Sequence, residues 1–197
     1  MKAIQRLTFE EYLALDDTGV EGRCELVDGE LLDLPPESGL NVIIASYLFL
    51  MFREAGIPFQ LLHAGRCEVQ TPVLEPGDAA NRFPDLVILR REHLPLVQHR
   101  LTVTIDMPPP RLVVEVVSPG KTSYDRDYIR KRHQYAVIGV PEYWIVNPDD
   151  GTVLVLEWQA GHYVEVGRFQ GDQLIQSLEV PQLRLTAGQV FAVGELE

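Results

Sequence analysis

The sequence predicts a mixed α/β (α+β) fold, a mixed sheet carrying helices, and three observations support that expectation. Short strand-like runs recur along most of the chain, and helical patterns are concentrated in two substantial segments. The stretch from Arg111 to Asn147 reads strand, loop, helix, strand. The 197 residues suit one domain, 1–197, large enough to bury a core. Apolar residues at 46% and charged residues at 23% are ordinary for a soluble globular protein. The net charge of −12 is more selective, because a protein that grips duplex nucleic acid through a broad basic surface should not be this acidic. Any nucleic-acid contact must be local, or cations must offset the carboxylates.

Thr8 followed by Glu11 is a capping signature, which places a short amphipathic helix from Thr8 to Leu15. Arg23 to Leu34 reads as a hairpin turning at Asp28-Gly29, with Glu25 between Cys24 and Leu26 on its first strand. Pro35-Pro36 breaks that strand, and a long helix follows from Ser38 to Ala55, stopped by Gly56. It is apolar over most of its circumference and is expected to pack into the core, with Asn41 in its first turn. Phe59 to His63 and Arg66 to Thr71 predict a second hairpin around Ala64-Gly65, and Pro72 to Arg82 reads as a loop. In RFPDLVILR, Pro84 marks the entry to a strand that begins at Asp85.

The strand Leu112 to Val117 is apolar and β-branched, as expected of a strand buried on both faces, yet Glu115 stands in its middle. Side chains alternate along a strand, so Glu115 shares a face with Val113 and Val117. An ionised carboxylate buried there needs a cation, a metal or a hydrogen-bond donor beside it. The following helix, started near Thr122, places Tyr124, Tyr128, Lys131, Tyr135 and Ile138 in one stripe, with Lys131 at its centre. Lys131 reaches that buried acid, or else it snorkels to solvent or pairs with Asp127 one turn earlier. Further strands are expected at Glu142 to Val146, Val153 to Trp158 and Tyr163 to Val166, with an extended run at Leu183 to Leu185 and a short helix from Ala187 to Phe191.

Two cysteines, Cys24 and Cys67, fit free thiols in a reducing cytosol, and the first residues, MKAIQRLTFEEY, have no apolar core of signal-peptide type. The chain therefore reads as cytoplasmic. If the strands bearing Asp85 and Glu115 are neighbours, the two carboxylates converge and suit a hard divalent cation bound through oxygen.

The runs PDLVIL, LVVEVVSPGKT and DRDYIRKRHQYAVIGVPEYWIVNP resemble those of the putative restriction endonuclease family of bacterial proteins, the Uma-two type, within the PD-(D/E)xK nuclease superfamily. The resemblance is dense from Arg82 to Pro148, extends back to Cys24, and is weak after Trp158. It implies a restriction-endonuclease-like mixed sheet flanked by helices, with additional strands at both ends. It also implies a Mg²⁺- or Mn²⁺-dependent endonuclease acting on DNA, often as a homodimer. In that reading Asp85 and Glu115 are metal ligands, joined by the main-chain carbonyl of Val116. Lys131 would be the catalytic lysine, relocated to the helix because Val117 occupies its usual place two residues after the second acid. Glu25 resembles an accessory acid and Tyr135 a supporting partner. The alternative is a nuclease fold kept as a non-enzymatic interaction module, with Glu115 and Lys131 a buried structural pair.

Overall fold

A computed structural model describes residues 6–15, 22–120 and 124–194. In chain order it contains α1 (Phe9–Leu13), β1 (Cys24–Val27), β2 (Glu30–Asp33), α2 (Gly39–Glu54), β3 (Leu62–Ala64), β4 (Glu68–Gln70), β5 (Asn81–Arg82) and β6 (Leu86–Ile88). Then come β7 (Thr102–Val103), β8 (Leu112–Val116), a π-helical segment (Arg126–Lys131) running into α3 (Arg132–Val137), β9 (Glu142–Asn147), β10 (Thr152–Gln159), β11 (His162–Gln170) and α4 (Ala187–Ala192). The main sheet has six strands in the order β11-β10-β9-β8-β6-β3. Its ladders are antiparallel except for the parallel pair β8–β9, which the intervening helix makes possible. The mixed α+β class expected from the sequence is the class observed.

Strand β8 lies inside this sheet and all five of its residues are buried. Its pairing with β6 opposes Leu86 to Val114 and Val87 to Val113. One step further along the same register, Asp85 opposes Glu115, on the same face of the sheet. Helix α2 packs on the sheet through Ile44, Leu48 and Phe52, with the Phe52 ring edge-on to Trp144.

Local chemistry explains the well-anticipated elements. Thr8 and Glu11 form a reciprocal capping box on α1. The Ser38 side chain caps α2 by accepting from the Asn41 N–H, and Gly56 follows its end at φ 99°. The β1–β2 hairpin turns through Asp28 and Gly29, both at positive φ. The helix start expected at Thr122 falls outside the described residues.

Three expectations are corrected. Residues 59–71 do not form a hairpin: β3 pairs with β6 in the main sheet, whereas β4 joins β5 and β7 in a separate three-stranded sheet. The segment 72–82 is not loop throughout, since β5 closes it. Helix α2 buries one side only; Ile43 and Leu50 remain 47% and 55% exposed.

Candidate active site at the β6–β8 edge

Asp85 stands at the entry to β6 and is half-buried. Its Oδ2 accepts a hydrogen bond from the Val116 N–H at 2.6 Å, which ties the carboxylate to the end of β8. Glu115 is buried, at 2% exposure, and both of its oxygens are engaged. Oε2 accepts from Lys131 Nζ at 2.7 Å, and Oε1 accepts from the Tyr135 hydroxyl at 2.7 Å. Lys131 does not snorkel to solvent: it is buried, and its ammonium lies both on Glu115 and 3.0 Å from Asp127 Oδ1. Glu25 stands apart from this contact set and forms an ion pair with Arg82 at 3.0 Å. Thus Glu115, Lys131 and Tyr135 are joined directly, Asp85 is tied to the neighbouring Val116 N–H, and Glu25 is connected only through Arg82 and Gln134.

Sequence reasoning named Asp127 and Asn41 without placing either in the cluster, and it missed Arg126, Arg82 and Gln134. Asp127 is 1% exposed and is also held by Arg126, whose Nε lies 3.1 Å from Oδ1. Asp127 lies four residues before Lys131, the ordinary i,i+4 spacing that lets the two pair, although Arg126–Lys131 is wound as a π-helix. Arg82 links Glu25 to the helix by donating from Nε to Gln134 Oε1 at 2.9 Å. Asn41 donates from Nδ2 to the Val116 carbonyl at 3.0 Å and to Ser118 Oγ at 3.1 Å, so the capped start of α2 also holds the end of β8.

The electrostatics separate the two acids. Burial pushes the Asp85 carboxyl up to about 8, and the charge of Glu115 adds to the rise against Lys131 and the Val116 N–H. Burial also pushes Glu115 upward, opposed by Lys131. Burial works against the Lys131 ammonium, but Asp127 and Glu115 outweigh it and hold the amine above its ordinary range. Asp127, despite burial, is held below its ordinary range by Lys131 and Arg126. The amine is therefore a fixed positive charge near neutral pH, while among the described residues Asp85 has no ion pair.

With this geometry in place, the comparisons are informative. A family model described as "Putative restriction endonuclease" matches residues 9–188. The chain belongs to this family, Uma2. The fold is similar to the crystal structure of a putative nuclease belonging to DUF820 from Anabaena variabilis. That likeness has a TM-score of 0.65 at 19% identity, covering 95% of this chain and 98% of the other. No functionally curated protein gives a significant sequence match.

Seen as a Uma2 site, the cluster can be tested for a divalent cation. Among the described residues, no group of three or more His, Cys, Asp and Glu side chains is arranged to hold a metal. A smaller donor set suffices for Mg²⁺, which keeps several waters and takes one or two carboxylates. Asp85 and Glu115 supply those. Each Glu115 oxygen that accepts one hydrogen bond keeps a second acceptor position, as does the Val116 carbonyl beside Asn41. The raised Asp85 pKa marks a carboxylate that a nearby cation would relieve. The residues fit the group. Val117, in the place where the superfamily pattern has lysine, is a buried apolar residue whose N–H donates to the Val146 carbonyl at 2.8 Å.

Proposed function

We propose that this chain is a Mg²⁺- or Mn²⁺-dependent endonuclease that hydrolyses DNA phosphodiester bonds. Asp85, Glu115 and the Val116 carbonyl hold the cation. Once bound, it supplies Lewis-acid charge for the scissile phosphate and a water of lowered pKa. Lys131, already fully protonated, acts as a donor that stabilises negative charge developing on the phosphate rather than as a proton acceptor. Tyr135 fixes the Glu115 carboxylate by its hydrogen bond to Oε1. Glu25 is an accessory acid that orients Arg82, and through it Gln134 on the helix. Two buried free thiols, Cys24 and Cys67, support a place in the reducing cytoplasm. Among the described residues no helix is long and apolar enough to cross a membrane. A homodimer is the assembly expected, and the outward apolar residues of α2 offer it a surface.

One observation carries this reading: two carboxylates meet on one face of the sheet, with a lysine from the helix on one of them. Calorimetric titration of Mn²⁺ into wild-type and Asp85→Ala protein tests it, alongside cleavage of plasmid DNA. Saturable binding and nicking by the wild type, both lost in the variant, are expected. Cleavage that persists in Asp85→Ala or Glu115→Ala protein would overturn the mechanism.

The engagement of both Glu115 oxygens, together with the net charge of −12, favours a second reading, a catalytically inactive interaction module. Under it Glu115→Gln lowers the melting temperature and Mn²⁺ leaves the wild-type value unchanged.

A further inference from the structure

Asp85 does not end in protein. It lines a cleft of about 600 Å³ between the start of α2, the segment leading into β1 and the β3–β4 connection. One wall is apolar, made by Leu34, Pro35, Pro36 and Val42. Two guanidinium groups, Arg23 and Arg66, belong to the same lining. Arg23 is engaged: it donates to the Gly65 carbonyl at 3.2 Å and lies 3.1 Å from Glu37. Arg66 is exposed and, among the described residues, has no carboxylate partner. An unpaired cation beside an acid that borders a reactive centre needs an explanation, and so does an apolar wall beside it.

We infer that this cleft binds a single-stranded segment of nucleic acid, with Arg66 on a backbone phosphate and the base against the Leu34–Pro36 wall. The inference rests on the nuclease reading above, which makes Asp85 the reactive end of the cleft, and adds the strandedness of the substrate. Three features lead to it. The volume is that of a small-ligand site, suited to a nucleotide or two and too small to admit a duplex. The lining balances Arg23 against Glu37 and carries Asp85 as well, but Arg66 and the apolar wall still supply the two kinds of contact that a single strand offers, a charged backbone and an exposed base face. The acidity of the whole chain opposes a duplex, with its denser charge, more than a single strand, and Arg66 offers that strand one cation with no carboxylate partner among the described residues.

The test is fluorescence anisotropy of a short fluorescein-labelled oligothymidylate, alone and annealed to oligoadenylate, with the wild-type chain in EDTA so that no turnover intrudes. The single strand should bind more tightly than the duplex. Arg66→Ala, at an exposed position that leaves folding intact, should weaken single-strand binding several-fold. It should also lower the slope of log affinity against log salt by about 0.7, the value for one phosphate contact on a single strand. Glu37→Gln, which removes a negative charge from the cleft and frees Arg23, should tighten it. Arg91→Ala, near the opposite end of α2, should change nothing.

Equal affinity for strand and duplex, or an unchanged salt slope in Arg66→Ala, overturns the inference. Cleavage with Mn²⁺ is read separately. If the wild type cuts duplex and single strand alike and Arg66→Ala cuts as well, this inference fails and the nuclease reading survives. If nothing is cut but single-strand binding depends on Arg66, the nuclease reading fails and this one stands.

Discussion

Removing the Lys131 amine would leave two carboxylates buried with their shared cation gone, Glu115 having lost a partner at 2.7 Å and Asp127 one at 3.0 Å. Breaking a buried pair from one side costs about 3–5 kcal/mol, so Lys131→Ala should lower the melting temperature strongly. The loss should shrink at acidic pH, where the acids can take up protons; a loss that does not vary with pH would contradict this. Asp85 makes a prediction of opposite sense from Lys131. Its pKa rises from 3.8 to about 8 on folding, so across that interval the folded chain holds a proton that the unfolded chain has released. The stability contribution of this group is present below the lower value, falls as pH rises through the interval, and levels off above it. Melting curves in EDTA should show that decline, and Asp85→Asn should flatten it. If Asp85 takes a cation as proposed, binding would have to expel the same proton, so Mn²⁺ affinity should climb with pH up to about 8. These groups were legible in the sequence to different degrees. Glu115 announced itself as a charge inside an apolar strand, and Lys131 as an amine at the centre of an inward stripe. Asp127 was legible only as a possible i,i+4 partner for Lys131; its burial was not, because that depends on how the helix docks on the sheet.

At the level of elements, the clearest signals were those whose chemistry is local. Ser38 and Gly56 bracket α2, Asp28-Gly29 makes its turn by backbone conformation, and the apolar run of β8 requires burial on both faces. The false hairpin at 59–71 had equally good local credentials. Its strands part because His63 opposes Val87 and Val69 opposes Arg82, and such distant pairings leave no mark on neighbouring residues. The two-residue strands β5 and β7 are too short to display any alternation at all. The capped start of α2 also reaches the site. Ser38→Ala should cost about 1 kcal/mol of stability, and it should loosen Asn41, whose side chain holds the Val116 carbonyl. A lower melting temperature together with weaker Mn²⁺ binding is therefore expected. Weaker stability with unaltered cation affinity would separate the cap from the site.

For the molecule as a whole, the excess of 29 acidic over 17 basic side chains implies self-repulsion that dissolved salt relieves. The melting temperature should rise as sodium chloride is brought from low to physiological concentration, while the buried ion pairs contribute little to that change. A second whole-chain property follows from where the lysine comes from. A lysine two residues along the same strand would be tethered to its acid by covalent geometry and would stay beside it for as long as the strand existed. Here the amine arrives on a separate helix, so its meeting with Glu115 persists only while that helix stays docked on the sheet. Gentle heating or dilute urea should consequently disarm the protein early: catalysis should fade while the circular dichroism of the strands is still intact, and return on cooling.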